Sequence, residues 1–239
     1  MTLTVTPKQL EILIFLYRFR FLDRLQIQTL LHHKDPRRVN SWLKELTSKK
    51  IIGRHYSKKL KENTKLAIYY LAPKSKELLK NQDGVNEGLL KRSDRERLRS
   101  RQMIDHCLLL ARYYLKIGKS IKDETIHFFT KTDLITRNYL PSILPDAYIV
   151  REHGEAISGY FLEIIDEKLP RFMIRKRIKT FVEYHRNSTW RKELNHTFPM
   201  ILILCPNNSV KTFLQKYCTQ VLEEDRLAIN FCFSTIDEI

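Results

Sequence analysis

Residues 35–48, DPRRVNSWLKELTS, constrain the fold more than any other stretch of this chain. Asp35 is a strong N-cap, and Pro36 suits the first helical position because a missing N–H costs nothing there. Val39, Trp42, Leu43 and Leu46 recur at helical spacing and predict one buried stripe. At about 100° per residue the opposite face carries Arg37, Asn40, Ser41, Lys44 and Ser48, all donors or donor-acceptors and none acidic. A solvated polar face is the ordinary use of such a helix. Its neighbours change that balance.

Two helices precede it. Thr6-Pro7 opens the first, with Leu10, Leu13, Ile14 and Tyr17 as its expected apolar stripe through about Phe19; Asp23 caps a shorter one containing Leu25, Ile27, Leu30 and Leu31. The polar turn HHKD then leads into Asp35. After Lys50 the pattern becomes β-like, with IIGRHYS, the basic stretch KKLKENTK and the alternating run LAIYYL, a hairpin whose tip holds Lys58, Lys59, Lys61 and Lys65. A helix over 73–80 closes the unit. Three helices, the third outwardly basic, followed by a basic hairpin describe a winged helix-turn-helix over residues 1–80.

Charge supports a polyanion partner for this part. Of the formal +16, residues 1–80 contribute 18 Lys or Arg against 6 Asp or Glu, a net of +12. Residues 81–100 hold 5 against 4, and residues 101–239 hold 20 against 17. Helix-turn-helix modules that dock proteins generally lack so basic a balance, which favours double-stranded DNA.

Residues 81–100 contain two of the six glycines and a mixed-charge run, and predict a linker that becomes the exposed start of a helix from about Ser93 to about Ile117. Residues 101–239 then alternate strand and helix patterns: TIHFFT, AYIV, GYFLEII, a helix over about 170–186, MILIL, a helix over about 208–222, and AINFCF. This predicts a mixed α/β domain, with FLEII and MILIL as central strands and helical crossovers between them. Cys107, Cys205, Cys218 and Cys232 lack metal-ligand spacing and read as buried thiols of a reducing cytoplasm. No export signal opens the chain, no apolar run approaches the roughly 18 residues of a membrane span, and a cytoplasmic protein with no membrane partner is expected.

Asp146 follows Pro145 at the entrance to one strand, and Glu163 lies inside the next. Two carboxylates so spaced on neighbouring strands hold a divalent metal in PD-(D/E)XK nucleases, where a lysine two residues after the glutamate orients and activates water. Here that position is Ile165; Asp166, Lys168, Lys176 and Lys179 are the nearby candidates to replace it. The competing reading is a strand-entry residue and a strand glutamate paired with a nearby cation. His106 and His185, each alone on a predicted helix, are read as packing residues. The chain has no Gly-rich phosphate loop, nucleophile elbow or HExxH.

Taken in order, TPKQLEILIFLYRFRFLDRLQIQTLL, IYYLAPKSKELL, DHCLLLARYYL, LPDAYIV, FLEIID and FCFSTIDEI resemble the replication-relaxation family over nearly the whole chain. The resemblance implies a winged helix followed by a domain similar to the PD-(D/E)XK fold, in proteins of plasmids and integrative elements. Its pattern of PD on one strand and E-x-D on the next would fall on Pro145, Asp146 and Glu163, but this chain has Ile165 and then Asp166. The resulting expectation is a DNA-binding accessory protein without a cofactor, in which Arg37, Asn40, Ser41 and Lys44 contact bases and Lys58, Lys59, Lys61 and Lys65 contact phosphates. Replication or relaxase proteins and a second copy of the chain are the further partners considered. The rivals are a nuclease using Mg2+ or Mn2+ at Asp146 and Glu163 with Lys176 or Lys179, and a transcriptional repressor.

Overall fold

In the computed structural model, which describes residues 4–56, 66–118 and 124–238, helix α1 (Pro7–Phe19) begins at a capping box. The Gln9 N–H donates to Thr6 Oγ1 at 3.3 Å while the Thr6 N–H donates to Gln9 Oε1 at 2.9 Å. Its buried face is Ile12, Leu13, Leu16 and Tyr17, rotated from the expected stripe, and Leu10 and Ile14 are only half-buried. LEILIFLYRF is apolar nearly all round, so its periodicity does not select one face. Asp23 and Gln26 form a second capping box for α2 (Arg24–Leu30), at 2.9 and 3.1 Å. Helix α3 (Pro36–Ser48) buries Val39, Trp42, Leu43 and Leu46, the stripe read from the sequence.

Three short antiparallel strands complete this region, β1 (Leu22–Asp23), β2 (Ile52–His55) and β3 (Ile68–Leu71), in the order β1-β3-β2. The two-residue β1 was not expected, because alternation needs a longer run to be visible. Gly53 lies opposite Tyr70 in the ladder, and a Cβ there would come 2.3 Å from the Tyr70 ring. Glycine is what lets the ring lie across β2.

Helices α4 (Ser75–Leu79) and α5 (Glu87–Leu90) follow, then two 3-10 turns over 91–94 and 96–98, then α6 (Arg101–Ile117). The charged run expected as a solvated helix start instead folds back on α1. Glu96 is 3% exposed and accepts from Arg20 Nε and Nη2 at 2.9 Å each, while Arg92 donates to the Tyr17 carbonyl at 3.1 Å. A carboxylate withdrawn from water needs such a partner. Ile104 and Cys107 of α6 pack with Phe21, Ile68 and Tyr70, and Gln26 Nε2 donates to the Leu108 carbonyl at 2.8 Å. The first compact unit therefore runs to residue 117, and the second spans 118–239, so 81–117 belong with the helical unit and not with a linker and the second domain.

The second unit contains β4 (Thr125–Thr130), α7 (Lys131–Leu134), β5 (Ala147–His153), β6 (Ala156–Ile164), α8 (Arg171–Arg186), α9 (Thr189–Leu194), β7 (Met200–Cys205), α10 (Asn208–Asp225) and β8 (Phe231–Thr235). This is the mixed α/β class expected. The sheet order is β4-β5-β6-β7-β8, antiparallel across the first three strands and parallel across the last three. A two-residue turn with Gly154 at φ 57° joins β5 to β6. The parallel pairs need crossovers, supplied by α8 with α9 and by α10. Successive right-handed crossovers stepping the same way put their helices on one face. There Ile174, Ile178 and Phe181 of α8 and Leu214 and Cys218 of α10 pack on Phe161, Ile165, Ile201 and Ile203.

Cys107, Cys205 and Cys218 are buried, and burial pushes the last two thiols up to about 11 and about 12. Cys232 differs from expectation: it is exposed on edge strand β8. Among the described residues no helix is long and apolar enough to cross a membrane.

Candidate functional site

Two places in the molecule answer to the chemistry expected of it. The first is the outer face of α3. Arg37, Asn40, Ser41 and Lys44 are all exposed there, and their side chains have no hydrogen bond or ion pair with any described residue. Ser48 is exposed too, but its hydroxyl donates to the Glu45 carbonyl at 2.8 Å. The helix's one acid is held aside: Glu45 accepts from Lys49 Nζ and Gln9 Nε2 at 2.7 Å each, and those hydrogen bonds, the Lys49 one foremost, lower its pKa. Asp35 caps the helix by accepting from the Arg37 N–H at 2.8 Å. Arg38 lies over the Trp42 ring at 5.6 Å, and the His33 ring meets the same indole edge-on at 5.0 Å. The turn before α3 is thus packed onto the helix it introduces, which fixes the approach of the exposed face.

Lys58, Lys59, Lys61 and Lys65 lie outside the described residues. Beside them lie two residues that sequence reasoning missed, Arg54 of β2 and Tyr56 just past the strand's end, both exposed, with the guanidinium 5.6 Å from the ring centre. A cation and an aromatic at a strand end next to a lysine run were a legible signal.

The second place is the end of the five-stranded sheet. Continuing the ladder registers by one residue past Thr130↔Ala147 and Ala147↔Leu162 sets Lys131, Asp146 and Glu163 side by side in one cross-strand row. Asp146 and Glu163 are each 1% exposed. Lys131 Nζ donates to Asp146 Oδ1 at 2.6 Å and the Ile164 N–H donates to Asp146 Oδ2 at 2.7 Å. Arg177 of α8 makes a short ion pair with Glu163 Oε1. The PD and E positions are brought together as expected, but the cations beside them are Lys131 and Arg177. Lys176 and Lys179 do not reach the carboxylates; both are exposed on the outer face of α8. Ile165 is fully buried in the core with Ile174 and Ile178. Lys131 was findable: it directly follows strand TIHFFT, and pairing that strand with AYIV places it against Asp146.

A divalent cation needs several oxygen ligands free to turn toward it. Here both carboxylates accept from cations, and no group of three or more His, Cys, Asp or Glu among the described residues could hold a metal. The donor set as arranged does not fit such an ion. What it does chemically is neutralise two buried carboxylates where the strands end, which removes most of the penalty of burying them.

His106 belongs to α6, and His185, on α8, has a buried Nδ1 with no partner in the described structure, its pKa lowered by burial.

The fold and these two places define a two-unit α/β protein that pairs a basic helical unit with a sheet bearing a PD and a glutamate on adjacent strands. A family model described as Replication-relaxation matches residues 13–201, and the chain belongs to that family. No curated protein matches it. Among solved structures, the restriction endonuclease FokI superposes at a TM-score of 0.34 and 13% identity, covering 97% of this chain and 42% of the endonuclease. The structure of that endonuclease bound to DNA gives the same score and identity, with coverages of 99% and 45%. The chain therefore spans less than half the length of that enzyme.

Proposed function

We propose that the chain is a sequence-specific, double-stranded DNA-binding accessory protein of a plasmid or other mobile element, acting in replication, its control, or DNA processing for mobilisation. The observation that carries this reading is the outer face of α3: four exposed donor side chains without a partner among the described residues, on a helix whose only acid is held by Lys49 and Gln9. The arrangement of α1, α2 and α3 followed by β2 and β3 supports a winged helix-turn-helix, with α3 as the recognition helix. Arg37 then reads a guanine edge through two parallel hydrogen bonds, Asn40 suits an adenine, and Lys44 and Ser41 complete the register. The lysines of the 58–65 segment hold the phosphate backbone. Membership of the Replication-relaxation family supports the mobile-element setting.

Selection of duplexes from a random library tests the reading. The wild-type protein should enrich one motif, and Arg37→Ala should lose discrimination at a single base pair, a loss of about 1 to 3 kcal/mol. An unchanged motif in Arg37→Ala would remove α3 from its assigned role. Lys59→Gln should weaken binding to all sequences alike and reduce the slope of log K against log salt by about 1.

A further inference from the structure

The α/β unit carries a basic surface of its own. Helix α8 holds Arg171, Arg175, Lys176, Arg177, Lys179 and Arg186 against the single acid Glu183, a net of +5 over sixteen residues. Its core side is Ile174, Ile178, Phe181, Val182 and Tyr184. At about 100° per residue, Arg175, Lys176 and Lys179 share the opposite arc with Phe172, Glu183 and Arg186.

Three observations separate this face from an ordinary solvated one. First, this face gathers unpaired cations on one helix, whereas several other cations of the unit are neutralised: Arg186 by Asp225, Lys211 by Glu238 at 2.8 Å, Arg151 by Glu124 at 2.9 Å and Lys131 by Asp146 at 2.6 Å. Arg171, Arg175, Lys176 and Lys179 have no carboxylate partner among the described residues. Second, the two arginines are fixed in place. Arg171 lies 4.8 Å from the Phe213 ring centre, and Arg175 lies 5.4 Å from both Phe213 and Tyr217, which stack on each other at 6.3 Å and 8°. A guanidinium held over a ring loses little further freedom when its N–H groups meet an acceptor. Third, the same arc exposes Phe172 at 70%, an apolar surface of the kind that packs on sugar or base.

We infer that the outer face of α8 is a second DNA contact, gripping duplex phosphates. Arg171, Arg175, Lys176 and Lys179 are its phosphate ligands. The inference rests on the DNA-binding reading above and adds a non-sequence-specific contact, with named residues, on the second unit. Lys176 and Lys179, candidates for catalytic lysines from their position in the chain, become backbone contacts.

The test is binding of the full-length protein to its selected duplex, followed by fluorescence anisotropy across a KCl series. In the Lys176→Gln/Lys179→Gln double variant the slope of log K against log salt should fall by about 2, with affinity near physiological salt reduced roughly tenfold or more. The selected motif should not change. Both side chains are exposed, and an unchanged melting temperature confirms that folding is intact. A variant slope equal to the wild type, while Arg37→Ala still alters the motif, would overturn this inference and leave the α3 reading standing. A wild-type protein that binds no duplex would overturn both. Loss of binding to phosphatidylglycerol vesicles in the double variant, with its DNA slope unchanged, would assign the face to a membrane surface and also overturn the inference.

Discussion

The outer face of α3 and the end of the five-stranded sheet both gather polar side chains, and they do opposite things with them. On α3, four donors stand in solvent without partners among the described residues, and the one acid that would repel a phosphate is tied to Lys49 and Gln9. At the sheet end, two carboxylates are almost wholly buried, with Lys131 and the Ile164 N–H on the oxygens of Asp146 and Arg177 on Oε1 of Glu163. Hydrogen-bonding capacity left open at a surface is available to a partner; capacity satisfied inside the protein contributes to the fold. By that measure the proposed role of the α3 face is binding, and that of the carboxylate row is to hold strands β4, β5 and β6 together at their ends.

The largest expected effect strikes the row. Arg177→Ala leaves Glu163 buried without its cation and should cost about 3 to 5 kcal/mol of stability, read by urea unfolding. Replacing both members, as Glu163→Met with Arg177→Met, should recover much of that loss, since apolar replacement of a buried pair is often close to neutral. A site kept for catalysis would behave otherwise: Arg177→Ala would leave stability nearly unchanged, and Mn2+ would raise the melting temperature. The corresponding substitution on α3, Arg37→Ala, should leave folding intact and appear only in the choice of DNA sequence, because that side chain is exposed and bonds to no other described residue.

A smaller effect compares the two units by pH. His55 in the first unit has a buried Nε2, and His185 in the second a buried Nδ1, neither with a hydrogen-bond partner among the described residues. Burial lowers both pKa values below the usual 6.5, with Arg101 and Arg97 adding to the effect at His55. The unfolded chain therefore takes up these protons at a higher pH than the folded one. Stability is fully present above about pH 6.5 and is lost as pH falls below it toward the depressed folded values. His55 packs against the Phe21 and Tyr70 rings, 6.2 and 4.8 Å away, so His55→Phe should keep the packing and flatten the fall in melting temperature between about pH 7 and pH 5.

Legibility followed the strength of the local signal. Helix α3 was readable to its buried residues because cap, proline and a clean 3.6 period agree. Strands β4 and β7 were readable because their runs are bounded by turns and rich in β-branched and aromatic residues. The stripe of α1 was rotated because an almost uniformly apolar helix has no preferred side in sequence. The run 91–99 was misplaced for another reason: charge in sequence implies solvent, and only the arrival of Arg20 from α1 makes burying Glu96 tolerable. At the candidate site Asp146 and Glu163 were legible as neighbours, whereas their partners depended on strand pairing and on which side of α8 faces the sheet. A lysine at 176 or 179 looks close along the chain, yet the helix turns both outward and presents Arg177 instead.

The central claim is that this protein retains DNA through α3 and leaves it intact. Its most direct test is a plasmid-library assay in Mg2+ or Mn2+ with the wild-type protein and with Asp146→Ala, scoring retention and strand breaks together. The account predicts specific retention by the wild type with no breaks, and the same retained sequences for whatever fraction of Asp146→Ala remains folded. Nicks or breaks by the wild type that vanish in Asp146→Ala would contradict it, and would mean that Lys131, Asp146 and Glu163 open to form an active centre.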